Sequence, residues 1–343
     1  MLNGTMKGIS RLLGSVALVV TLGSAAGAAD VKSIAILTPE QGTDYGWNQQ
    51  GVDGAKAAGK AAGVEVIVAE NLGYGDVRPT LQELAEDGAS LLIAHASGYN
   101  TAAPEVGAQY KVPVAVVDTP ASLKAGAVAD YTASGHQGAF LAGVLAAKMS
   151  RSGTVGIVVS GEPPSWNAQS VAFAEGVKAT KPDAVIRYAV IGPAAYSDAA
   201  GGKRVTESLI AAGADIIFGQ GNGSSFGMLQ AVETTKATDG GKVLFIDVIG
   251  DKTPIDKGFL LSSVMWNLEP VYAGMIADLK ADTFGTHNYD INLKDGSVDL
   301  LKTANIPDAV WADVQKVRQD IIDGKITVTP KYDADSVHAL VTQ

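Results

Sequence analysis

The sequence predicts an α/β protein built from two doubly wound parallel sheets. Three observations predict it. Strand-like and helix-like segments alternate from residue 33 onward with little interruption. Most strand runs are continuous and apolar rather than alternating, as parallel strands covered on both faces are. The helical segments between them are rich in Ala and Gly, whose small faces let a helix lie close to a sheet.

In chain order, residues 1–28 read as a secretion signal rather than as part of the fold. Lys7 and Arg11 form a positive start, 12–22 is a short apolar run, and Ala26-Gly27-Ala28 offers a cleavage site. The run is short for a bilayer span, so an exported, cleaved, soluble chain in a periplasm is expected. The chain has no Cys, which excludes disulfides, Cys-ligated zinc and a lipid-modified Cys at the cleavage site. About 315 residues remain, enough for two domains. The net charge of −10 argues against nucleic acid or an anionic membrane as partner.

The first strand is 33–39. Later strand runs are 64–69, 90–94, 112–118, 154–160, 184–191, 215–219, 242–248 and 259–266. Helices are expected at 47–63, 77–88, 101–110, 137–149, 167–180, 202–213, 224–236 and 267–284. Gly63 and Gly88 follow helix patterns as C-caps. Tyr289 to Val298 reads as a hairpin with an Asp295-Gly296 turn. The last helix, 307–323, puts Val310, Val314, Val317 and Ile321 on one face, with Trp311 in core packing. The expected division is 29–135 with 250–285 in one lobe, and 136–249 with 286–343 in the other.

Ligands of doubly wound sheets bind beyond the carboxyl ends of the strands, so the loops there are expected to carry the site. A dinucleotide fold would place G-x-G-x-x-G after the first strand. This chain has Asp44-Tyr45-Gly46-Trp47-Asn48 instead, so no nucleotide cofactor is expected. A carboxylate, an indole face and a carboxamide suit a small, flat, polar ligand. Trp47 and Tyr196 occupy corresponding loops of the two units and are placed to sandwich an aromatic ring. Trp166, Phe226 and Trp266 also fall in loops or at strand ends, and His95 and Ser97 end a strand. Asp44 suits a helix cap equally well, and Asp251 suits either sugar hydroxyls or an ordinary turn. Gly221-Asn222-Gly223 could turn backbone N–H groups toward a ligand, but without Lys-Ser/Thr it is no phosphate loop. The four His show no metal spacing. Gly223-Ser224-Ser225-Phe226-Gly227 matches G-x-S-x-G, and Asp247 with His287 or His338 would complete a hydrolase order. Three glycines between strand and serine disfavour it.

Together these residues resemble the basic membrane protein family of ABC-transporter substrate-binding proteins, which includes purine nucleoside receptors. Asp44-Tyr45-Gly46-Trp47-Asn48-Gln49 is similar to that family's D-x-S-F-N-Q, and Phe140-Leu141-Ala142-Gly143 to its F-L-A-G. Tyr196-Ser197-Asp198 is similar to F-x-D, Gly221-Asn222-Gly223 to its glycine loop, and Leu261-Ser262-Ser263-Val264 to L-T-S-V. The resemblance implies a type I periplasmic binding protein: two Rossmann-like lobes on a hinge with three crossovers, closing on a ligand for an importer's permease and ATPase. It implies a monomer without catalysis. It also implies that Asp44 and Asn48 hydrogen-bond the ligand, Trp47 and Tyr196 stack on it, and Asp251 holds ribose. Nucleoside-binding members carry Lys soon after L-T-S-V, where this chain has Trp266; that favours a free base or related ring over a ribonucleoside. A sugar receptor of the same fold is the rival reading.

Overall fold

The computed structural model describes residues 1–2, 30–133 and 135–341. The expected leader, with Lys7, Arg11 and the site at 26–28, lies outside the described residues. One sheet contains β1 (Ser33–Leu37), β2 (Glu65–Ala69), β3 (Leu91–Ala94), β4 (Val114–Val117) and β5 (Val128–Thr132). The other contains β6 (Thr154–Val159), β7 (Val185–Val190), β8 (Ile216–Gln220), β9 (Leu244–Ile249) and β10 (Leu260–Trp266). A short strand extends each: β11 (Tyr289–Asp290) the first, β12 (Val298–Leu300) the second. The orders are β11-β5-β4-β3-β1-β2 and β12-β10-β9-β8-β6-β7. All pairings are parallel except β10 with β12.

The helices are α1 (Trp47–Ala62), α2 (Arg78–Glu86), α3 (Ala102–Tyr110), α4 (His136–Met149), α5 (Pro164–Thr180), α6 (Ala199–Ala211), α7 (Ser224–Thr234), α8 (Glu269–Lys280), α9 (Asp308–Ile322) and α10 (Ala334–His338). Every residue of β1, β3, β4, β8 and β9 is buried, as their unbroken apolar runs require. Gly63 ends α1 in the left-handed conformation expected of a C-cap. Val314 and Ile321 of α9 are buried, with Val310, Val317 and Trp311 packed against the core.

The F-L-A-G segment is a helix-packing device. A Cβ on Gly143 of α4 would overlap the Phe173 carbonyl of α5, and one on Gly176 of α5 would overlap the Phe140 carbonyl of α4. The two helices therefore touch backbone to backbone, each through a glycine. Gly227 and Gly202 repeat the arrangement between α7 and α6.

Three expectations need correction. Strand β5 was absent from the sequence reading, because Asp130 interrupts its apolar run. Asp130 is nonetheless buried, and its carboxylate accepts from the Thr119 N–H at 2.6 Å. The Tyr289–Val298 hairpin does not form a two-stranded ladder. A local turn exists, with Val298 N–H donating to Asn292 O at 3.0 Å, but its arms join different sheets. Each sheet ends in a strand with a free edge, and each arm extends one of them. Finally, residues 250–285 do not stay in one lobe. β10 is bonded to β9 in the second sheet, whereas α8 packs against α1 of the first. The chain thus crosses between lobes after β5, between β10 and α8, and between β11 and β12.

Candidate functional site

In each sheet the strand order reverses between two parallel neighbours, β1 and β3 in the first and β6 and β8 in the second. The loops leaving those strands diverge, and a crevice opens there. Between the lobes lies a cavity of ≈ 260 Å³, lined from the first lobe by Pro39, Trp47, Tyr74, Ser97, Asn100 and Asp118, and from the second by Ser165, Trp166, Tyr196, Asn222, Ile249 and Trp266, among others. Five sequence-expected residues beyond Trp47 therefore meet there: Ser97, Trp166, Tyr196, Asn222 and Trp266.

Trp47 is held from behind. Its indole stacks on the His95 ring at 3.7 Å between centroids and 10° between planes. The indole Nε1–H donates to His95 O at 2.9 Å, and His95 Nε2 lies 2.8 Å from Trp47 O. A carbonyl only accepts, so Nε2 carries the proton and Nδ1, with its single lone pair, accepts from the pair of hydroxyls beside it, Tyr131 at 2.7 Å and Tyr272 at 3.0 Å, which also bond each other. One indole face is covered by this anchor. Trp266 meets Trp47 edge-on at 6.0 Å, and Trp166 meets Tyr196 edge-on at 5.4 Å. The cavity is thus walled by aromatic groups from both lobes.

His95 does not line the cavity, contrary to expectation; it is the buried support under Trp47. Burial pushes its pKa down to about 4, so it is neutral in the folded protein at neutral pH. In the unfolded chain it takes a proton near its ordinary value of 6.5. Its contribution to stability is present above pH 6.5 and is lost as pH falls toward 4. A shift of this size corresponds to about 3 kcal/mol. A series of thermal melts from pH 7 to pH 4 is expected to show a fall that is visibly shallower in His95→Gln.

Four other residues expected at the ligand are engaged in hydrogen bonds within the protein. The Asp44 carboxylate accepts from the Gly46, Asn48 and Gln49 N–H groups at 2.9–3.1 Å and from Asn48 Nδ2 at 2.7 Å. It caps the start of α1, and Asn48 is fully buried beside it. Asp198 caps α6 through Gly201 N–H at 2.8 Å. Asp251 accepts from Thr253 N–H at 2.7 Å in an ordinary turn. Neither they nor Gly221 line the cavity. A Cβ on Gly221 would strike the Ser224 hydroxyl, so its role is close packing.

Among the polar residues of the cavity wall, Asp118 comes from the first lobe and Asn222 from the second. Asp118 is the carboxylate of the cavity wall, in a left-handed conformation with φ 52° at the end of β4. It accepts from Ala133 N–H at 2.9 Å, and Ser165 of the opposite lobe hydrogen-bonds it. Much of its surface opens into the cavity, yet both lobes enclose it, and that enclosure raises its pKa. Asp118 ends the 112–118 strand run, where the site loops are expected, but the sequence does not single it out. The signal was there: an acid ending an apolar strand at its carboxyl end. Asn222 is buried with its Oδ1 unpartnered, and the Trp266 Nε1–H is likewise buried and unpartnered.

The hydrolase arrangement does not assemble. The Ser225 hydroxyl is buried and turned back to the Gly221 and Asn222 carbonyls. His287 pairs with Asp278 at 3.5 Å and His338 with Glu162 at 3.2 Å. Among the described residues, no group of His, Asp and Glu is placed to hold a metal ion, and no helix is long and apolar enough to cross a membrane.

Two lobes around a mid-chain cavity define a solute-binding protein of the transporter type. The chain belongs to the family of PnrA-like ABC transporter substrate-binding proteins (Bmp), whose family model matches residues 31–331. It is 26% identical over 306 residues to a purine-binding protein of Brucella abortus (strain 2308), covering 87% of this chain and 82% of that one. It is 28% identical over 219 residues to the ABC transporter nucleoside-binding protein BmpA of Lactococcus lactis subsp. cremoris (strain MG1363); the match covers 60% of this chain and 61% of that relative. An ABC-transporter solute-binding protein of Aeropyrum pernix K1 has the same fold, with a TM-score of 0.74 at 19% identity over 90% of this chain and 96% of that one.

Proposed function

We propose that this protein binds a free purine base, or a closely related ring without a sugar, and delivers it to an ABC importer. The observation that carries this reading is the composition of the cavity wall. Aromatic groups from both lobes wall the space, Asp118 offers a carboxylate to ring N–H donors, and Asn222 lines it with an amide. Where a sugar would need hydroxyl-binding groups, the wall is Ile249 and Trp266, and Asp251 lies outside it. The volume of ≈ 260 Å³ falls just under the usual range for drug-sized ligands. The Brucella relative named for purine supports the ligand class.

Periplasmic export, action as a monomer and an importer's permease and ATPase as partners complete the reading. The test is thermal shift of the protein, unfolded and refolded to strip ligand, against adenine, guanine, hypoxanthine, their ribonucleosides and simple sugars. A ligand selective for the native state raises its stability by RT ln(1 + [L]/Kd). The expected result is a shift with bases and a much smaller one with nucleosides. A larger shift with nucleosides overturns the base reading, and a shift with sugars alone overturns the purine class.

A further inference from the structure

We infer that Lys252 is a positioning residue that couples closure of the lobes to the placement of Trp47. It rests on the solute-binding function of the family, not on the purine reading. Lys252 follows β9 in the second lobe and is almost wholly buried, with 1% of its side chain exposed. Its ammonium pairs with Asp247, itself fully buried in β9, and lies 5.6 Å from the centre of the Phe226 ring. An ammonium has three donors. One of them crosses the cleft to the carbonyl of Tyr45 in the first lobe, at 3.1 Å.

That carbonyl belongs to the turn that launches α1. Tyr45 has a positive φ of 50°, its N–H donates to Gln49 Oε1 at 3.0 Å, and Trp47 follows two residues on. The second lobe presses on the same turn through its backbone. A Cβ on Gly250 would overlap the Tyr45 carbonyl, so residue 250 has to be glycine for the lobes to meet this closely. The Ser263 hydroxyl holds the Gly250 carbonyl at 2.7 Å from behind. Ile249, with a φ of 76°, lines the cavity from the same turn. The turn at 249–252 and the turn at 44–47 are therefore interlocked, and each presents a cavity-lining side chain.

For stability alone, a buried ion pair is rarely better than two apolar side chains of similar volume. The donor that reaches the other lobe is what an apolar pair could not supply. When the lobes part, Lys252 loses Tyr45 O and its third donor turns to water. When they close, it fixes the turn that carries the stacking ring.

The test separates this role from a purely structural one. Lys252→Met alone leaves Asp247 buried without its partner and is expected to destabilise the fold. The double variant Lys252→Met with Asp247→Leu removes both charges and restores the melting temperature to near wild type. In that double variant, ligand dissociation, read by stopped-flow with the best of adenine, guanine and inosine, is expected to be at least tenfold faster. Interlobe distance is read by single-molecule energy transfer between dyes at Lys60→Cys and Ser208→Cys, which a chain without native Cys permits. The ligand-free double variant is expected to spend more time open than wild type. A double variant with wild-type interlobe distances and dissociation rate overturns the inference. If none of the three probes binds even the wild type, the purine reading fails while the ligand-free distances still decide this one.

Discussion

Asp118→Asn is expected to lower affinity for the bound base about 10- to 100-fold while leaving the ligand-free protein as stable as wild type, or more so. The carboxylate is the charged acceptor of the cavity wall, and hydrogen bonds to a charged group contribute about 1.5–3 kcal/mol. Asparagine keeps an acceptor for the Ala133 N–H but presents one carbonyl where a ring with two adjacent N–H donors needs two oxygens. Enclosure raises the Asp118 pKa, so the folded, unliganded protein bears a cost for ionising it, and the amide removes that cost. The pH dependence follows with a definite sign. Binding of N–H donors needs the carboxylate, so wild-type affinity falls as pH drops through the raised pKa. Titration calorimetry at falling pH is expected to show that decline in wild type and not in Asp118→Asn. Equal pH profiles in the two proteins would remove Asp118 from recognition.

Gly143→Val is expected to be the most damaging single substitution outside the site, costing more than about 4 kcal/mol and leaving little folded protein at 37 °C. The reason is backbone contact. The space a Cβ would fill is occupied by the Phe173 carbonyl and its neighbours on α5, and no side-chain rotation can clear it. Nor can α5 shift away easily, because Phe173 stacks on Phe218 of β8 at 4.4 Å behind it. Gly63→Ala is the comparison: Gly63 has open space around it, and only its φ of 67° disfavours a side chain. Its expected cost is about 1 kcal/mol. Denaturant unfolding of the two variants measures both. Similar losses would show that α4 and α5 can slide apart cheaply.

Both expectations rest on features read differently by sequence and structure. The repeated βα pattern, the runs at 154–160 and 242–248 and the Ala-rich helices were legible, because apolar periodicity is a local property. So were the loops that hold the site, since ligands of such sheets gather at the carboxyl ends of strands. Trp47, Ser97, Trp166, Tyr196, Asn222 and Trp266, expected in those loops or at strand ends, line the cavity. Asp44, Asn48, Asp198 and Asp251 were expected at the ligand for the same reason, yet the three acids satisfy N–H groups of their own turns and Asn48 is buried against Asp44. A short acid at a helix start looks the same in sequence whether it caps or binds.

The F-L-A-G segment was legible as a mark of family but not as a mechanism, because the carbonyl that demands Gly143 lies thirty residues away on α5. His95 shows the same limit. Its place after β3 was legible, while its role depends on Trp47, Tyr131 and Tyr272 arriving from three other elements. The strand ends at 289–300 could be seen to be strands, but not which sheet would take each, since two free edges compete for them. By itself the sequence determined the α/β class, the two units, the family and the loops of the site, all carried by residues near one another in the chain. The tertiary structure alone decided which polar groups face the cavity, where the chain crosses between lobes and how Lys252 reaches Tyr45. Those depend on contacts between residues as far as 207 positions apart, and local pattern carries no record of them.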